Sequence, residues 1–109
     1  MTETEFEALA ERTFAELEAA IDASAPDVML ETRGGGVLEV EFENGAKIVV
    51  NRQSAAQEIW VAAKSGGRHF RYDGKVWRDT RDGTEFFAAF SKLASLHGGR
   101  AVLLKPGPA

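Results

Sequence analysis

Cysteine is absent from the 109 residues of this chain. That excludes disulfides, thiolate nucleophiles and any thiolate-held zinc or iron–sulfur cluster within this chain alone. Long hydrophobic runs are missing too. The apolar stretches last only a few residues, as in Ile48-Val49-Val50, far short of a membrane span. The opening Met1-Thr2-Glu3-Thr4-Glu5 is acidic where a secretory signal is basic and then apolar, so the cytoplasm is the expected compartment. Positive charge is in deficit, with 13 Lys and Arg against 17 Asp and Glu for a formal net charge of −4. Such a balance argues against nucleic-acid backbones and favours cationic partners, either metal ions or basic protein surfaces. No Ser/His/Asp or Cys/His arrangement, P-loop or HExxH motif occurs, so no hydrolase, kinase or metalloprotease is indicated. Repeats, low-complexity tracts and interdomain linkers are lacking, apart from a short tail at Pro106-Gly107-Pro108.

What is present is an ordinary globular composition, 44% apolar and 28% charged, of a length that suits one domain with one core. The pattern reads helix, strands, helix. A first helix is expected from about Glu3 to Asp22, opened by a Thr2/Glu5 capping box, with Pro26 beyond its end. Phe6, Leu9, Ala10, Thr13, Leu17, Ala20 and Ile21 recur at helical spacing and form its buried stripe. At about 100° per residue, Glu3, Glu7, Glu11, Glu18 and Asp22 fall together in the neighbouring sector.

The middle of the chain reads as a meander of antiparallel strands, at about Val28–Thr32, Val37–Phe42, Lys47–Gln53, Gln57–Ala62, Arg68–Tyr72 and Val76–Arg78. Alternation turns Leu38, Val40, Phe42, Ala46, Ile48 and Val50 inward, and Lys47, Val49, Asn51 and Gln53 outward. Asn44-Gly45 predicts a type I′ hairpin turn, with positive φ at both residues, and Asp73-Gly74 a second turn. The second helix is expected after Asp82, with Asp82 as its cap in Asp82-Gly83-Thr84-Glu85. Phe86, Phe87, Phe90, Leu93, Ala94 and His97 form its apolar face, and Gly98-Gly99 its left-handed stop. Two helices flanking a meander pack on one sheet face and leave the other in water. The predicted fold is an α+β two-layer sandwich.

Two surfaces carry chemistry. Carboxylates one turn apart on a helix repel by a few tenths of a kcal/mol, and a multivalent cation relieves that repulsion. Their oxygens suit hard cations, but a row without His or Cys closure gives weak, unselective sites; the usual meaning of such a row is a solvated face, and alone it does not establish metal binding. The second surface is the open sheet face. If Ile59 and Val61 point inward, Glu58 and Trp60 point out beside Asn51 and Gln53, and an exposed tryptophan among amides is what a protein-binding hot spot looks like. A register slip of one residue would instead bury Trp60 in the core. His69 alternates outward with Arg71, available to a metal or a partner, or simply solvated. His97 lies in the last helical turn, where the helix dipole accounts for it.

These residues carry a resemblance. Phe42-Glu43-Asn44-Gly45-Ala46-Lys47-Ile48-Val49-Val50-Asn51-Arg52-Gln53 looks like the central signature of the bacterial frataxins, the CyaY family. Gln57-Glu58-Ile59-Trp60-Val61-Ala62, Gly66-Gly67-Arg68-His69-Phe70, Trp77, and Gly83 with Phe86 follow in the family's order. The likeness spans roughly Glu3 to Leu104 and implies two helices on one face of an antiparallel sheet. It implies an iron-binding accessory protein of iron–sulfur cluster assembly, a regulator of the cysteine desulfurase and scaffold protein or an iron donor, and monomeric. Carried over by position, ferrous or ferric iron would be held weakly by a ridge of Glu3, Glu7, Glu11, Glu18, Asp22, Asp27 and Glu31. The partner-binding positions would be Asn51, Gln53, Trp60 and His69. Ala19 and Ala23 stand where some bacterial relatives carry further acids, and Asp27–Gly36 is acid-poor and contains Arg33, so fewer or weaker iron sites are expected. The tail Val102-Leu103-Leu104 is expected to cap the groove between the helices. The rival reading is a ferroxidase that oxidises ferrous iron at the acidic row and stores it in iron-dependent oligomers.

Overall fold

A computed structural model describes residues 1–25 and 27–106 of the chain. Helix α1 spans Glu3–Ser24 and helix α2 Phe86–Gly98; between them run strands β1 (Met29–Arg33), β2 (Val37–Glu41), β3 (Lys47–Gln53), β4 (Glu58–Ala63), β5 (Gly66–Tyr72) and β6 (Trp77–Asp79). The strands form one sheet in the order β1-β2-β3-β4-β5-β6, each antiparallel to the next. The expected α+β sandwich is what the chain adopts.

Helix α1 starts as anticipated. Thr2 Oγ1 accepts from Glu5 N at 3.1 Å and Glu5 Oε1 accepts from Thr2 N at 2.9 Å, so two orphan donors of the first turn are satisfied reciprocally. The hydrogen bond from the Thr2 backbone, chiefly, holds the Glu5 carboxyl below its ordinary range. The helix continues two residues past Asp22 to Ser24, while Pro26 lies outside the described residues. Phe6, Ala10, Thr13, Leu17, Ala20 and Ile21 are buried; Leu9, at the margin of the stripe, is half-buried.

The inner sheet face is apolar because the register aligns the inward residues. Leu38 pairs with Val50, Val50 with Val61, and Val40 with Ile48. All of these are buried, together with Ile59, Phe70, Trp77 and the α2 residues Phe86, Phe87, Phe90 and Leu93. The one buried indole donor, Trp77 Nε1, is satisfied by Thr13 Oγ1 at 2.8 Å, which ties α1 to β6 across the core.

Three local expectations are corrected. The Asn44-Gly45 hairpin is not a type I′ turn, since only Gly45 has positive φ (89°). It is a three-residue loop in which Gly45 N donates to Phe42 O and Phe42 N to Ala46 O, each at 2.9 Å. The cause is the Asn44 side chain. Its Oδ1 accepts from Ala46 N, and its Nδ2 reaches across to His97 O at 2.8 Å, tying the hairpin to the end of α2.

Secondly, α2 is capped by Glu85 and not by Asp82: the Glu85 carboxylate accepts from Phe87 N at 2.8 Å and Ala88 N at 3.2 Å. Gly83 sits at φ 76°, which is not helical, so no helix propagates through it. Asp82 instead accepts from Thr84 N inside the preceding turn. Thirdly, β4 begins at Glu58 because Gln57 has φ 54° and closes the Ser54–Gln57 turn. The stop at Gly99 (φ 72°) is as expected. The tail divides: Leu104 is buried and Val102 half-buried, with Ser91 Oγ accepting from Leu104 N at 2.8 Å, while Leu103 is 69% exposed.

Candidate functional site

The acidic row and the open sheet face lie on different elements and have different electrostatics. On α1, Glu3, Glu11 and Asp22 are exposed and Glu18 is half-buried. None of the four makes an ion pair or side-chain hydrogen bond among the described residues. Glu7, second in the row, is engaged. Arg52 Nε stands 3.3 Å from it and Ser54 Oγ donates to it. Arg52 also lies over the Phe14 ring, 6.0 Å from the centroid. Its direction follows from alternation: Asn51 and Gln53 face out, so Arg52 faces α1. Gly36, at φ 80°, lies against the Arg52 side chain, so a Cβ there would push the guanidinium aside.

The other ridge positions are also partnered by cations. Asp27 lies 3.8 Å from Arg100, and Glu31 3.7 Å from Arg33. Arg33 belongs to a mixed network in which Glu39 lies 3.1 Å from Arg33 and 3.0 Å from Lys47. The Lys47 hydrogen bond, foremost, lowers the Glu39 carboxyl, and the same contact raises the Lys47 ammonium. The seven proposed ridge carboxylates therefore do not form one continuous free row. With a rise of about 1.5 Å per residue, Glu11 and Glu18 are about 10 Å apart along the helix, too far to share an ion. Glu18 and Asp22, one turn apart, are the remaining neighbouring pair without a cationic partner among the described residues. No group of three His, Asp or Glu side chains among those residues is placed to enclose a metal ion.

On the open face, the question of Trp60 is resolved by register. Trp60 stands opposite Asn51 on one side and His69 on the other, and it points outward, half-buried. Its indole stacks on the His69 imidazole, centroids 4.3 Å apart and planes within 8°. Glu58, on the same face, receives Trp60 Nε1 at 2.8 Å and Arg71 Nε at 3.0 Å. Asn51 and Gln53 lie on the adjoining strand, half-buried, with Gln53 opposite Glu58. The sequence pattern marks Trp60, His69, Asn51 and Gln53 but does not reveal that Glu58 and Arg71 support them. A signal for it exists: both alternate outward, and opposite charges paired across strands attract.

The residues themselves point one way, and the match along the chain decides it. The model of the frataxin-like domain family matches residues 1–100. The chain belongs to the frataxin family. Relatives share about half of its residues: the iron-sulfur cluster assembly protein CyaY of Dechloromonas aromatica is 51% identical over 105 residues, covering 96% of this chain and 100% of the relative. That of Paraburkholderia phymatum is 49% identical over 106 residues, covering 97% and 100%. Among solved structures, the frataxin from Psychromonas ingrahamii superposes with a TM-score of 0.85 at 32% identity, covering 94% of this chain and 96% of that one. These frataxin relatives are named as assembly proteins and not as enzymes. Among the described residues, no helix is long and apolar enough to cross a membrane.

Proposed function

We propose that this frataxin is a monomeric accessory protein of iron–sulfur cluster assembly in the cytoplasm, docking on the cysteine desulfurase through α1 and on the scaffold protein through the face around Trp60. The observation that carries this reading is near-half identity along the whole length of relatives named for that assembly. The geometry supports a division of labour. Unpaired carboxylates on α1 suit a basic docking surface, since exposed charge steers encounter and fixes orientation. The stacked aromatic face with its flanking amides suits a drier protein contact.

Iron is cargo in this reading. Carboxylate oxygens are hard donors that suit ferrous and ferric ions, and Glu18 with Asp22 would supply two of them, the rest of the shell being water. A site of that kind is weak and releases its ion readily, as delivery or sensing requires. Without cysteine the chain holds no thiolate-ligated cluster of its own, so it acts on the assembly by supplying iron, by modulating sulfur transfer, or by both.

The deciding experiment is direct binding to the cognate cysteine desulfurase at low and moderate salt, with and without ferrous iron. Binding that weakens with salt supports the α1 docking surface. Absence of binding in every condition overturns the reading and leaves oxygen uptake on iron addition as the next measurement.

A further inference from the structure

The Trp60 hydrogen-bond donor is already taken. Its Nε1 already donates to Glu58 Oε1 at 2.8 Å, two residues back on the same strand and face. Glu58 is unusual for a carboxylate on the solvent side of a sheet, being only 8% exposed. Its Oε2 accepts from Arg71 Nε at 3.0 Å, Arg71 being directly opposite on β5. The His69 ring stacked on the indole has its Nδ1 3.5 Å from Glu58 Oε1. One hydrogen bond and one stack thus hold the indole, and the carboxylate between them faces a guanidinium that balances its charge.

We infer that Glu58 is the positioning residue of this docking face: it locks the Trp60 indole in one rotamer with its donor occupied, so the partner is met by the aromatic ring alone. The inference rests on the reading that this face meets the scaffold, and it specifies the chemistry of the contact. A carbonyl or carboxylate of the partner gains nothing from an indole whose N–H is taken. An apolar side chain gains the full ring, at low entropic cost because the ring is already ordered. Val49 and Ala62, paired with each other beside Trp60, extend the same surface without charge. Hydrogen bonds to the partner then fall to Asn51, opposite Trp60. Removing Glu58 would free the indole and leave Arg71 and His69 without their common anion.

The test has a partner-free arm and a partner arm. In the first, exchange of the Trp60 indole proton with solvent is followed by NMR in the wild type, Glu58→Ala and Glu58→Gln. We expect about tenfold faster exchange in Glu58→Ala, the lower end of what a hydrogen bond to a charged group contributes. Glu58→Gln, which keeps an acceptor oxygen, should restore slow exchange. The Trp77 indole, bonded to Thr13, is the internal control and should not change, which separates positioning from general loosening. In the second arm, affinity for the cognate scaffold protein is measured for the same variants and for Trp60→Ala. We expect Glu58→Ala to bind several-fold more weakly and Glu58→Gln to bind like the wild type. Unchanged exchange in Glu58→Ala overturns the inference. So does undiminished binding by Glu58→Ala where Trp60→Ala binds poorly. If instead Trp60→Ala itself binds normally, it is the docking reading that fails, and the claim about the partner falls with it even where the exchange data show the indole held.

Discussion

Replacing Thr13 by valine removes one hydrogen bond from the core and little else. Among the described residues Thr13 Oγ1 is the sole acceptor of the buried Trp77 Nε1, and it donates in turn to Leu9 O at 2.9 Å within its own helix. Valine has nearly the same shape, so the packing of Trp77 against Phe6 and Tyr72 should be preserved. The indole N–H is then left buried without a partner, a cost of about 1–3 kcal/mol. Leu9 O loses only a second donor, because the helix still supplies its backbone bond. For a domain of this size, each kcal/mol lowers Tm by about 4–8 °C, so a drop on the order of 5–20 °C is expected. Urea unfolding followed by tryptophan fluorescence should show a lower midpoint with an unchanged slope, since the area exposed on unfolding is the same. Thr13→Ser, which keeps the acceptor and loses a methyl, should fall less. A loss in Thr13→Val under about 0.5 kcal/mol would refute the idea that this bond holds α1 to β6. Because Thr13 is on the buried stripe and Glu18 and Asp22 are not, desulfurase binding at low temperature should be unaffected.

Reversing Glu18 and Asp22 together to lysine should weaken desulfurase binding by about tenfold or more at low salt, with the difference shrinking as salt is raised; equal affinities at low salt would remove α1 from the interface. The Asp73 carboxyl is held down from its ordinary 3.8 to about 2, chiefly by the backbone hydrogen bond of Val76, then by those of Lys75 and Arg78. A depressed carboxyl stabilises the fold above its unfolded value and loses that contribution as pH falls toward the folded one. Asp73→Asn should therefore be less stable than the wild type at neutral pH, with the gap closing between about pH 4 and 2, as measured by denaturant midpoints across that range. Gly98→Ala places a Cβ 2.8 Å from Phe42 Cδ1, and overpacking should outweigh the gain in helix propensity, lowering stability by about 1–3 kcal/mol in chemical denaturation. A stabilised Gly98→Ala would show that Phe42 moves aside freely.

Much of the architecture is legible in the order of residues, for a local reason. Period-two alternation in Val37–Glu41 and Lys47–Gln53 and the helical stripe of α1 are statements about which side of an element is apolar, and burial enforces them. Turn details are less legible. Asn44 takes its conformation from a bond to His97, 53 positions away, and Asp82 is displaced as cap because Gly83 is held at positive φ by the turn that Asp79 closes. Local patterns cannot report such long-range claims on a side chain.

The same division runs through the candidate sites. The sequence by itself places carboxylates on one edge of α1, because helical periodicity is a property of the backbone. Tertiary structure decides which of them are free: Arg52, reaching over from β3, takes up Glu7, and among the described residues Glu18 with Asp22 remain the open neighbours, while beyond the helix Arg100 faces Asp27 and Arg33 lies beside Glu31. Likewise the motif around Trp60 is readable in order, but its direction depends on a register that a one-residue slip reverses. Cross-strand pairing then places His69 and Arg71 around Trp60 and Glu58. Periodicity along one chain tells which face a residue takes; only the packing of several segments tells which charges meet there.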